Sequence, residues 1–115
     1  MSPNHKPLIW MSGSVKTPPF SKSARLEAGF LLRQIQAGEI PPMPHSRPMP
    51  SIGARCHELR IQDKSVTWRL VYQIQDDCVL LLEVFQKKTA KTPKAVIQVC
   101  QMRIREFGET QDPEK

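Results

Sequence analysis

The chain has 115 residues, 39% of them hydrophobic, and a formal net charge of +6. This length suits one domain around one core, spanning residues 1–115, and no apolar run approaches the roughly 18 residues a membrane-crossing helix needs. The excess of Lys and Arg points to a phosphate backbone or an acidic protein as partner. The N-terminal MSPNHKPLIWMSGS has too short an apolar segment for a signal peptide and lacks a small-residue cleavage site, so a cytoplasmic location without membrane contact is expected. Cys56, Cys78 and Cys100 are odd in number and widely spaced. They read as small buried hydrophobes rather than as a disulfide framework or a zinc site.

In chain order, residues 1–7 read as frayed, and Leu8–Met11 as a short edge strand. Ser21 or Ser23 can cap a helix reaching about Ala37, with Gly38 as its left-handed stop. Phe20, Ala24, Ala28, Leu31 and Ile35 form one apolar stripe along that helix. Glu39–Gly53 holds five prolines in fifteen residues and reads as an extended surface connector, because proline breaks helices and central strands.

Three strands at hairpin spacing follow. Arg55–Gln62 sets His57, Leu59 and Ile61 on one face and Cys56, Glu58 and Arg60 on the other. Val66–Ile74 sets Val66, Trp68, Leu70, Tyr72 and Ile74 opposite Thr67, Arg69, Val71 and Gln73. The nearly unbroken apolar run Cys78–Phe85 then gives way to Lys87, Lys88, Lys91 and Lys94. Thr92 as N-cap and Pro93 as first residue open a closing helix that ends near Phe107. Gly108 onward, residues 108–115, reads as a disordered tail. The plan is α+β, a small antiparallel sheet with the helices packed on one face.

The chemistry-bearing residues are mostly cations within or at the ends of the strands. Arg60 and Arg69 share a strand face that the expected packing leaves bare; they could be solvated surface arginines or a bidentate phosphate clamp. Tyr72 points with Leu70 and Ile74, which suits core packing with a wet hydroxyl. Glu83, inside an apolar strand, must lie at an edge, pair with a cation such as Lys87, or take part in chemistry. The set suits metal-free RNA cleavage, in which cations hold the charge developing on phosphorus and a proton-transfer group serves the two oxygens. No metal or cofactor is expected.

The succession Glu58-Leu59-Arg60, Trp68–Tyr72 (W-R-x-x-Y) and Phe85–Pro93 (F-x-K-K-T-x-x-T-P) resembles the RelE/ParE toxin superfamily, in particular its HigB-like, phage-derived killer-protein branch. The likeness runs from about Ile9 to Phe107. It implies a RelE-like fold and a type II toxin that cuts messenger RNA on the ribosome, neutralised by a cognate antitoxin, often a helix-turn-helix repressor. By position, Arg60, Arg69, Tyr72, Lys87 and Lys88 match the basic active face of that family, and Lys91 and Lys94 would extend the grip on RNA. Many members carry histidine where this chain has Glu83, so the likeness does not assign the proton-transfer group. A ParE-like inhibitor of DNA gyrase, without catalysis, is the alternative on the same fold.

Overall fold

A computed structural model describes residues 5–11, 20–86 and 91–110. Its elements are β1 (Leu8–Trp10), α1 (Lys22–Gln36), β2 (Ser46–Pro48), β3 (Cys56–Asp63), β4 (Val66–Ile74), β5 (Val79–Gln86) and α2 (Lys94–Thr110). The strands form one sheet in the order β1-β5-β4-β3-β2. β3, β4 and β5 make the expected antiparallel meander, β2 adds antiparallel to β3, and β1 lies parallel to β5.

The fold class is α+β, as expected, but the helices do not share a face. α1 buries Ala24, Ala28, Leu31, Leu32 and Ile35 against Leu59, Ile61, Trp68, Leu70, Tyr72, Val79 and Leu81. α2 covers the other side, where Cys100 is buried with Cys56, Val71, Leu80 and Leu82, and Val96, Ile97, Ile104 and Phe107 pack against them. The physical reason lies in β5. Val79, Leu80, Leu81 and Leu82 are all fully buried, so successive side chains on opposite faces both need an apolar cover.

A bulge interrupts that alternation. Val71 pairs with Glu83 but Tyr72 pairs with Leu81, which leaves Leu82 as an extra residue on β5. Leu82 and Glu83 therefore face the α2 side together, and Val84 returns to the α1 side. Strict alternation from Leu81 would have driven the Glu83 carboxylate into the apolar layer under α1. Bulges re-aim side chains in this way.

α1 begins as its sequence dictates, with the Ser21 hydroxyl accepting from the Ala24 N–H, and ends with Gly38 at φ 93°. Asp63 fixes this end of the helix to the sheet. Its Oδ2 accepts from the Ser21 N–H at 2.9 Å and the Trp68 indole at 3.2 Å. The Ser21 contacts, first of all, hold the Asp63 carboxyl below its ordinary value.

Four segments depart from expectation. The proline-rich connector contains β2, and Met49 and Ile52 after it are buried in the α2-side core. Lys6 and Pro7 are not frayed: the Lys6 N–H donates to the Gln36 carbonyl, and the Pro7 carbonyl accepts from Val79. α2 starts at Lys94, one residue later than Thr92-Pro93 implied, and continues through Gly108 to Thr110 instead of stopping there. The rest of the expected tail, 111–115, and residues 1–4 lie outside the described residues.

Leu81 is fully buried in the α1-side core, so Leu81→Ala should cost about 2–5 kcal/mol through the lost apolar contact and the cavity left behind. A chemical-denaturation curve with an unchanged midpoint would remove β5 from that core.

Candidate functional site

The strand register builds a polar patch on the α2-facing side of the sheet, beyond the part that α2 covers with apolar side chains. Arg47 pairs with Glu58 across β2 and β3, and Arg60 sits directly opposite Arg69 across β3 and β4. Glu58 is fully buried, which a lone carboxylate could not sustain. Its Oε1 accepts from Arg69 Nη1 at 3.0 Å and from Arg47 Nη2 at 3.2 Å, and its Oε2 accepts from the Thr92 hydroxyl at 2.9 Å.

One carboxylate thus stands among three arginines, and the patch keeps an excess of positive charge. Arg69 is itself 7% exposed. Burial is the main influence pushing its guanidinium below its ordinary value; Glu58 opposes that, and the neighbouring Arg60 and Arg47 add to it. The mutual influence of Arg47, Arg60 and Arg69 places all three in one local field. Moreover, the Arg47 and Arg69 Nε atoms are buried without a hydrogen-bond partner among the described residues. The cluster is crowded with donors and short of acceptors, a setting in which an added anion gains and an added cation loses.

Arg60 and Arg69 therefore converge, as the strand pattern implied, but with unequal accessibility. Arg69 is committed to Glu58, and replacing it would disturb a buried ion pair, so loss of activity in Arg69→Ala could not be separated from loss of fold. Arg60 is half-buried and lines an open cleft of about 190 Å³ with Glu27, Pro44, His45, Gln62 and Thr67. The sheet face is not bare, because Thr92, just before α2, reaches across to Glu58. Lys91 and Lys94 flank that contact along the chain and are exposed.

Two expected members sit elsewhere. Tyr72 is fully buried on the α1 side of the sheet, its hydroxyl paired with Ser46 Oγ at 2.7 Å and its ring stacked on His57. Burial, relieved in part by Ser46, raises its pKa. A ring with no exposed surface, on the opposite face from Arg69, offers nothing for a nucleotide to stack on. Glu83 shares the arginine face, through the bulge, and among the described residues pairs with Arg103 of α2 at 3.4 Å and not with a strand arginine. Arg103 also donates to the Leu82 carbonyl. Lys87 and Lys88 lie outside the described residues.

Sequence reasoning missed Arg47, His45 and the central part of Glu58. Arg47 and His45 belong to the segment set aside as connector, and a three-residue strand leaves no periodic signal. Glu58 showed only as a carboxylate on the face of Arg60 that can pair across strands, because register fixes which arginine it meets. Among the described residues, no group of three His, Cys, Asp or Glu is placed to hold a metal ion, and no helix is long and apolar enough to cross a membrane. Cys56, Cys78 and Cys100 are free thiols in the interior, and burial pushes Cys56 up to about 11 and Cys100 to about 12.

Residues 19–105 match the family model described as "Phage derived protein Gp49-like (DUF891)". That span takes in α1, every strand but β1, and most of α2. No curated protein and no solved structure matched the chain.

Glu58→Gln would leave the buried Arg69 without its counter-charge and should cost about 3–5 kcal/mol in a thermal or denaturant melt. A loss below about 1 kcal/mol, the range of exposed ion pairs, would show that the cluster is open to water.

Proposed function

The chain belongs to the phage-derived Gp49-like family, a RelE-like family associated with toxin–antitoxin toxins, and from that premise we propose that it is a type II toxin acting as a HigB-like, ribosome-dependent messenger-RNA endoribonuclease. The observation that carries the reading is the arginine cluster at the open end of the sheet, where Arg47, Arg60 and Arg69 outnumber Glu58. Such a patch suits a phosphodiester passing through its transition state, because fixed cations act on the extra negative charge without reorganising.

In this reading Arg60 is the cation that meets the scissile phosphate, since it is the least enclosed of the opposed pair. Arg69, held by Glu58, fixes the local field rather than gripping RNA itself. Lys91 and Lys94, with Lys87 and Lys88, supply sequence-independent contacts to neighbouring phosphates. Glu83, engaged by Arg103, serves the packing of α2 on the sheet instead of proton transfer. The partners are messenger RNA on the ribosome and a cognate antitoxin, in the usual arrangement a helix-turn-helix repressor. The surplus of base over acid, +6, suits an acidic antitoxin segment as well as RNA.

The test is induction of the chain in cells, followed by mapping of new RNA 5′ ends. Wild-type protein should arrest growth and create new ends within messages, and Arg60→Ala should lower their yield on the order of a hundredfold while melting at the wild-type temperature. Growth arrest with DNA breaks and no new RNA ends would replace this reading with gyrase inhibition.

A further inference from the structure

The arrangement so far supplies charge stabilisation but no group to move protons, and scission by the 2′-hydroxyl needs two such transfers. The cleft beside Arg60 contains what is missing. Its six lining residues include one carboxylate, one imidazole and one guanidinium: Glu27 from α1, His45 from the segment leading into β2, and Arg60 from β3. Thr67 and Gln62 line it too, with the Thr67 hydroxyl donating to Gln62 Oε1 at 2.9 Å.

Three elements distant in sequence meet here for identifiable reasons. The Arg60 N–H donates to the His45 carbonyl at 2.8 Å, which fixes the His45 backbone against the edge of β3 where β2 has not yet begun. Glu27 precedes Ala28, whose burial against the sheet sets the rotation of α1, so the Glu27 side chain falls at the margin of the apolar stripe rather than at its outer pole. Because His45 is held through its backbone, its exposed ring is not needed for the fold. Gln62 and Thr67 are the next pair on the same face as Arg60 and Arg69, so the cleft adjoins the arginine cluster through Arg60.

We propose that this cleft is the reaction centre for RNA, with Glu27 and His45 as the catalytic proton-transfer residues and Arg60 as the cation facing the phosphate. The inference rests on the endoribonuclease reading and adds the groups that reading lacks. In the step, the Glu27 carboxylate takes the proton of the 2′-hydroxyl as that oxygen bonds to phosphorus. The P–O5′ bond breaks, and the protonated His45 ring gives its proton to the departing 5′-oxygen. The products are a 2′,3′-cyclic phosphate and a 5′-hydroxyl end, and solvent returns the proton from Glu27 to His45, so no oxidant or reductant enters. Histidine is the side chain best suited to give up a proton near neutral pH, and a carboxylate is a competent base when a cation lowers the cost of the phosphorane. Arg60 lines the same cleft as both groups, and Arg69 is its partner on the neighbouring strand.

The experiment uses the full chain with translating ribosomes and a defined message. Glu27→Gln and His45→Asn are compared with wild type and with His5→Gln, an exposed histidine outside the cleft. Both cleft variants should lose at least a hundredfold in kcat while still melting like wild type and still binding a message made uncleavable by 2′-deoxy substitution. His5→Gln should cleave normally. A second substrate, with sulfur replacing the 5′-bridging oxygen, has a leaving group that needs no acid; it should restore most of the rate to His45→Asn and little to Glu27→Gln. Wild-type cleavage matched within a few-fold by both variants would overturn this assignment alone. Absence of cleavage by wild type would overturn the endoribonuclease reading and this one together. An unselective response to the sulfur substrate would remove His45 as the acid.

Discussion

The buried carboxylate of Glu58 is the constraint around which the polar end of the sheet is arranged. Taking a carboxylate out of water is costly unless cations and hydrogen bonds replace the lost hydration. Here Arg47 from an edge strand, Arg69 from the central strand and Thr92 from the segment before α2 provide that replacement. The consequence is topological as well as energetic. One side chain ties β2, β3, β4 and the approach to the last helix to a single point, and the basic Lys91–Lys94 region is anchored beside the arginines instead of trailing from β5.

The two-sided sheet is what makes room for this. If both helices lay on the α1 face, the other face would leave Val71, Leu80 and Leu82 without apolar cover. With α1 and α2 on opposite faces, apolar cover is nearly complete, and the polar residues are confined to where α2 ends its reach. The bulge at Leu82 serves the same economy: it turns Glu83 toward Arg103 and keeps a charge out of the α1-side core. The price of a one-residue irregularity in β5 is small beside that of an unpaired carboxylate among leucines.

Much of this was legible in the residues and some was not. β4 was readable to the residue, because alternation over Val66–Ile74 is strong and the flanking turns are polar. α1 was equally clear from its serine cap, its stripe and Gly38. The uninterrupted apolar run of β5 already carried the signal for burial on both faces, yet alternation in β3 and β4 suggested one bare face and won in the reading. β2 was hidden by its prolines, which an edge strand tolerates and a central one does not. The bulge, the parallel pairing of β1 and the Glu83–Arg103 pair depend on register and on packing of distant segments, which local pattern does not encode. The convergence of Arg60 and Arg69 was legible because strand faces follow from counting. The placement of Arg47, His45 and Glu27 beside them was not, since it depends on how a connector and a helix fold back on an edge.

In the proposed reaction the open end of the sheet receives a phosphodiester at Arg60, beside a cluster that Glu58 holds in place. The most direct measurement is the structure of the chain on a ribosome that carries a 2′-deoxy-protected message. The phosphate following the protected ribose should lie within hydrogen-bond reach of the Arg60 guanidinium, with α1 clear of the message except at Glu27. A message seated on the outer face of α1, or passing the sheet without touching Arg60, would contradict it.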